Sequence, residues 1–208
     1  MALTSTSYAI LGLLAVKPWT TYELAQQMDR ALGQFWPRAE SKVYEEPKKL
    51  VANGLARASS EMVGKRPRTV YSITAKGRRA LAEWVPAPGA GPVLEFEQLI
   101  KVFFAEHATK TDLLATLATV REASVQQLGA SVRVPQAYLD GNGPFPERLP
   151  WLLLVGQFLL DFHLMVKSWA EWSSGIVEAW PDDVTAAQPD WNALEMQAAI
   201  TRAHSQER

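Results

Sequence analysis

Residues 41–79 leave few ways for this chain to fold. Ser41 is a good N-cap, and Lys42, Val43, Tyr44, Lys48, Lys49 and Leu50 follow it before Gly54, a natural helix stop. Two strand-like runs come next, at 56–60 and 69–73, joined through Gly64-Lys65-Arg66-Pro67-Arg68. Glycine and proline hold that connection open as a turn. Three cations so close together repel one another unless solvent or an anion faces them. Thr74-Ala75-Lys76-Gly77 then opens another helix.

A helix, a hairpin with a cationic tip and a further helix make the layout of a winged helix-turn-helix. One helix of such a unit can enter the major groove while the hairpin tip reaches the neighbouring backbone. The upstream residues complete the unit. Tyr8, Leu11, Leu14 and Ala15 recur at helical spacing until Lys17-Pro18. Thr20 and Glu23 form a capping box for a second helix that carries Leu24, Ala25, Met28 and Leu32 inward and ends at Gly33. Phe35-Trp36-Pro37 is expected to pack on the core of this domain.

Pro86-Ala87-Pro88-Gly89-Ala90-Gly91-Pro92 supports neither helix nor ladder strand, so a boundary is placed there. Charge changes sign at the same point. Residues 1–85 hold 13 Lys/Arg against 7 Asp/Glu, and residues 86–208 hold 8 against 15. A basic half joined to an acidic half points one end at a polyanion. The divisions expected are a winged-helix domain at 1–85, a linker at 86–93, a helical dimerisation domain at 94–180 and a C-terminal helix or tail at 181–208.

Beyond the linker the pattern is helical. Phe96, Leu99, Ile100, Phe103 and Phe104 form one stripe, and Leu113, Leu117, Val120, Ser124 and Leu128 another. Residues 135–150, with four prolines and two glycines, read as a loop. A heptad seam follows at Trp151, Val155, Phe158, Phe162, Met165, Trp169, Trp172 and Ile176. So strict a seam calls for another long helix, which a second chain can supply. Trp151, Phe158, Phe162, Met165, Trp169 and Trp172 are either core and dimer interface or the walls of an apolar pocket for a small aromatic ligand. Spacing leaves both open. Ser173-Ser174-Gly175 reads as local fraying of this helix, and Asp190 can cap a last one.

Enzymatic chemistry is not expected. Cysteine is absent, which removes disulfides and thiolate sites. The histidines are His107, His163 and His204, with no metal-ligand spacing, glycine-rich phosphate loop or nucleophile elbow around them. His163 beside the aromatic seam reads as a packed or interfacial histidine. No cofactor is expected. Trp151 to Gly156 is too short an apolar run to cross a bilayer and no secretory leader is evident, so the expectation is a cytoplasmic chain with no membrane partner.

These residues resemble the PadR family of bacterial transcriptional regulators. The likeness rests on 8–14 in the first helix, Thr21-Tyr22-Glu23-Leu24 in the second, Ser41-Lys42-Val43-Tyr44, Leu50-Val51-Ala52-Asn53-Gly54-Leu55, and 71–77 after the hairpin. The stretch from Leu94 to about Trp180 resembles the longer helical C-terminal domain of the AphA-like branch. The resemblance implies a mainly α protein, an N-terminal winged helix with three helices and a two-stranded wing followed by an all-helical dimerisation domain. It also implies a homodimer, usually a repressor, on an inverted-repeat operator in double-stranded DNA, with Tyr44 on the reading helix. Ser41, Lys42, Tyr44, Lys48, Lys49, Lys65, Arg66 and Arg68 are the candidate DNA contacts. The rival readings are a protein-interaction module on a winged-helix scaffold and a small-molecule sequestration protein.

One departure carries a structural expectation. Family members commonly place proline directly after that tyrosine and leucine two residues later, where this chain has Glu45 and Pro47. Proline inside a straight helix here would cost roughly 3 kcal/mol. The expected solution is a short turn at 41–45 and a helix that restarts with Pro47 in its first turn.

Overall fold

The computed structural model describes residues 3–37, 43–63 and 66–205 and divides the chain into two compact units, 1–92 and 93–208. The first unit opens with α1 (Ser5–Val16), whose N-cap Thr4 forms a capping box with Ser7. A two-residue strand, β1 (Trp19–Thr20), leads into α2 (Thr21–Leu32) through the expected Thr20–Glu23 box. Helix α3 (Glu46–Ala52), the hairpin β2 (Ala56–Val63) and β3 (Arg66–Ile73), and α4 (Ala75–Trp84) follow. Ile10, Leu11, Leu14, Leu24, Met28 and Leu50 are fully buried between these elements.

The wing differs from expectation in two respects. Its strands are longer, and the sheet has three strands in the order β1-β3-β2, with Trp19 opposite Tyr71 and Thr20 opposite Val70. Two residues are too few to show a period of two, so β1 leaves no pattern in the sequence. Phe35 and Trp36 are not core residues. Both remain substantially exposed, although the Trp36 indole donates to the Thr6 hydroxyl at 3.1 Å.

The α2 cap yields a measurable dependence on pH. The Thr20 amide and hydroxyl both donate to Glu23 Oε2 at 2.8 Å. The backbone bond chiefly, then the hydroxyl, holds the Glu23 carboxyl below its ordinary value of 4.5. Its stabilisation is therefore complete above pH 4.5 and is lost as pH falls through the folded-state value. Thr20→Ala is expected to cost about 1 kcal/mol near neutral pH. In thermal melts the gap from the parent protein should narrow as the carboxyl is protonated, because only the hydroxyl's bond to Glu23 depends on its charge; the Glu23 amide's bond to the hydroxyl does not. A gap of constant size across that range would assign the loss to the Glu23 amide's bond to the hydroxyl and not to the carboxylate.

The second unit holds α5 (Glu97–Phe103), α6 (Lys110–Ser131), α7 (Arg133–Leu139), α8 (Leu149–Glu178) and α9 (Trp191–Ser205). Helix α7 occupies part of the stretch expected as loop. Pro135 is its third residue, within the first turn, where the missing amide breaks no helical bond. Helices α6 and α8 pack along each other. Leu113, Leu117, Val120 and Ser124 face Val166, Ala170, Ser173 and Val177, all buried. Ser173 thus lies in the interior of an unbroken helix, not in a frayed turn.

The buried stripe of α8 is not the aromatic seam. At 3.6 residues per turn the seam lies about 80° round the helix from it. Phe162 and Trp169, on the near side, pack partly against the core, whereas Trp151, Phe158, Met165 and Trp172 are 63, 60, 55 and 47 % exposed. By length and composition the stretch Pro146–Glu178 is also long and apolar enough to cross a membrane. The consecutive apolar run understated this, because isolated polar residues interrupt it without lowering the mean. His163 on the same helix has its Nε2 buried without a hydrogen-bond partner, and burial pushes its pKa down, which keeps the ring neutral.

Candidate nucleic-acid interface

Helix α3 starts at Glu46 with Pro47 in its first turn, after a turn at 43–45. This is the restart that Pro47 was expected to force. Ser41 and Lys42 lie outside the described residues. At its far end α3 closes in a Schellman motif. The Leu55 amide donates to the Leu50 carbonyl and the Gly54 amide to that of Val51, both at 2.9 Å, with Gly54 at φ +70°.

The exit of α3 is locked to the entry of α4. Thr74 Oγ1 donates to the carbonyls of Gly54 and Leu55 at 2.8 and 3.0 Å, and it accepts the Gly77 amide at 3.0 Å. Lys76 Nζ donates to the Asn53 carbonyl at 2.9 Å. At the entry end the clamp is Glu46, a buried carboxylate that accepts the Ser7 hydroxyl at 2.6 Å and pairs with Lys49 Nζ at 2.8 Å. Val43 and Leu50 are buried between these fixings. A short helix held at both ends keeps its exposed side chains in a fixed position.

Tyr44 is 56 % exposed in the turn before α3. Lys48 is exposed and pairs with Glu45 at 3.2 Å. Lys49 pairs with Glu46, and that hydrogen bond raises its pKa. Both lysines are therefore already partnered. Glu45, Glu46, Lys48 and Lys49 sum to zero, so the turn at 43–45 and α3 have no surplus charge. The surplus lies on the hairpin and α4. Arg68 stands exposed on β3 opposite Glu61, and Arg66 is paired with Val63 in the ladder. Lys65 falls outside the described residues. Arg78 Nη1 lies 3.5 Å from the Ala15 carbonyl, at the C-terminal end of α1, which gives it a structural task.

The β1–β3 pairing brings the start of α2 to the base of the wing. The positive charge of Arg68 is among the influences that lower the Glu23 pKa. In the same first turn Tyr22 is exposed, its hydroxyl accepting from Gln26 Nε2 at 2.9 Å. The sequence offers Tyr22 only within the family-like run Thr21-Tyr22-Glu23-Leu24, and nothing local marks it as a surface group beside the wing. Its exposure depends on a long-range strand pairing that no local pattern records. Among the described residues there is no cluster of His, Asp or Glu fit for a metal ion.

Comparison with known proteins agrees with this geometry. Residues 10–83 match the Transcriptional regulator PadR-like family. The Negative transcriptional regulator PadR of Bacillus subtilis is 29 % identical over 132 residues, 60 % of this chain and 71 % of that protein. The crystal structure of Bacillus subtilis PadR in complex with operator DNA superposes with a TM-score of 0.71. It has 22 % identity and covers 84 % of this chain and 99 % of that one. The same regulator in complex with p-coumaric acid gives 0.65, at 22 % identity over 83 % and 98 % of the two chains. The Vibrio cholerae virulence activator AphA gives 0.62, at 25 % identity over 84 % and 98 %. The sequence match covers the reading unit, and the fold match extends through most of the helical one. Residues 10–83 thus form a PadR-like transcriptional regulator domain, and the helical unit that follows shares its fold with PadR and AphA.

Proposed function

We propose that this protein is a cytoplasmic homodimeric repressor that grips an inverted-repeat operator with two winged helices. The observation that carries the reading is the pairing of an exposed, rigidly clamped Tyr44–Lys48–Lys49 segment with a hairpin that carries the surplus positive charge. Ser41, Lys42, Tyr44, Lys48 and Lys49 meet one groove, while Lys65, Arg66 and Arg68 meet the backbone beside it. The exposed seam of α8, with Trp151, Phe158, Met165 and Trp172 outermost, supports a second chain as its cover. Two-fold symmetry then places the half-sites roughly 10 bp, or one helical turn, apart.

A small aromatic acid is the effector class this reading admits, since the Bacillus subtilis regulator has been solved with p-coumaric acid. Such a ligand must bind the DNA-competent and the DNA-free states unequally to act. The test is fluorescence anisotropy on duplex DNA from upstream of the protein's own gene, at two salt concentrations, against an unrelated duplex. Tight, selective and salt-sensitive binding is expected, with release on adding p-coumaric acid. Absence of binding at low salt would sink the operator reading and favour a protein-interaction module. Binding indifferent to p-coumaric acid would remove that effector and leave the repressor.

A further inference from the structure

The first residue of α3 carries a buried carboxylate. Glu46 is 4 % exposed; its Oε2 accepts the Ser7 hydroxyl at 2.6 Å and its Oε1 the Lys49 ammonium at 2.8 Å. Ser7 is equally buried and is fixed by the α1 capping box. Its Oγ accepts the Thr4 amide at 3.0 Å, and its own amide donates to Thr4 Oγ1 at 3.2 Å. The single hydroxyl proton of Ser7 goes to Glu46, so Thr4 is the donor in the 3.0 Å contact between the two hydroxyls. The bonds thus run in one direction, from the first turn of α1 into the entry of the reader helix. Hydrogen bonds chained in this way polarise and strengthen one another.

Stability alone does not call for a carboxylate at this place. Burying a charge is costly even when it is paired, and an apolar side chain of similar volume often holds two elements together as well or better. What the carboxylate adds is direction. An apolar contact lets a helix slide or roll, whereas a hydrogen bond fixes distance and angle. Helix α3 needs such a fixing, because it is only seven residues long and its N-cap, Glu45, makes no side-chain bond to it. Tyr44 stands two residues before Glu46, and Lys48 and Lys49 stand two and three after it. The angle at which Glu46 is held therefore sets where those three candidate contacts project. Lys49 is half exposed and can turn to a phosphate while the buried Ser7 bond keeps its hold on the helix.

We propose that Ser7 and Glu46 are positioning residues for operator selectivity. Both are too buried to meet DNA, and together they aim the reader that does. The inference rests on the operator reading above.

The test is the ratio of affinities for the duplex from upstream of the protein's own gene and for an unrelated one. It is measured by anisotropy on the full chain carrying Ser7→Ala or Glu46→Gln. A partly unfolded variant binds both duplexes less well by the same factor, so lost stability alone does not move the ratio. A displacement that loses one base contact costs about tenfold in selectivity, and a fall of that size is expected in both variants. Their salt dependence should differ. Ser7→Ala changes no charge and should keep the parental slope of log affinity against log salt. Glu46→Gln releases Lys49 and should steepen that slope by about 0.9 for each reader that meets DNA. An unchanged ratio in Ser7→Ala would reduce the pair to a structural tie and overturn the proposal. So would a Glu46→Gln variant that tightens on both duplexes alike, since that is the effect of charge alone. A parent protein that does not distinguish the two duplexes overturns the operator reading and, with it, the positioning role.

Discussion

Gly77→Ala is expected to disrupt the reading unit while leaving the helical unit folded. A methyl group at this position would stand 2.1 Å from the Leu55 carbonyl oxygen and 2.9 Å from Ile73 Cγ1. The first of these is backbone and cannot rotate aside. That carbonyl also accepts the Thr74 hydroxyl and the Thr74 amide, so moving it breaks the clamp between α3 and α4. Overpacking of this kind costs about 1–3 kcal/mol, and more when hydrogen bonds are lost with it. Against a typical total of about 5–15 kcal/mol the loss is large. In thermal unfolding one transition should fall sharply and operator binding should be lost, with most helical signal kept. Unchanged melting and binding would show that the α3–α4 junction has slack that the geometry does not reveal.

The residues of that junction explain why so much of the first unit was legible. Thr20 with Glu23, Gly54 and Thr74 are local signals, each fixed by one or two backbone groups a few residues away. Pro47 acts in the same way, and its placement in the first turn of α3 followed from its missing amide. Other features depend on distant partners. Strand β1 exists because Trp19 meets Tyr71, and the position of Tyr22 beside the wing follows from that pairing.

Helix α8 was legible only in part, for a different reason. Its strongest periodic stripe is aromatic, yet the face that meets α6 is built from Val166, Ala170, Ser173 and Val177. Small side chains let two helix axes approach closely, whereas a row of tryptophans holds them apart. Hydrophobic bulk thus marked the face that α6 leaves exposed. The charges of the candidate site were legible too. Their pairing was only half visible, since Lys48 and Lys49 sit three residues from Glu45 and Glu46 and are neutralised by them.

That neutralisation makes the wing the main source of salt dependence. Each phosphate contact made by Lys65, Arg66 or Arg68 contributes about 0.9 to the slope of log affinity against log salt. Replacing all three by alanine is expected to reduce the slope by about 2.7 for each wing that meets DNA. Lys48→Ala with Lys49→Ala should do less, because binding there only exchanges an existing carboxylate partner for a phosphate. Surface pairs of this kind are worth at most about 1 kcal/mol, so the exchange is nearly balanced. The triple wing variant should also weaken operator and unrelated duplex by similar factors, since phosphate contacts carry no base identity. Tyr44→Ala should weaken the operator more than the unrelated duplex, because that side chain stands exposed at the start of the reader. Anisotropy titrations at a series of salt concentrations measure both effects. A wing variant with an unaltered slope would show that the hairpin does not touch DNA and that the reader helix acts alone.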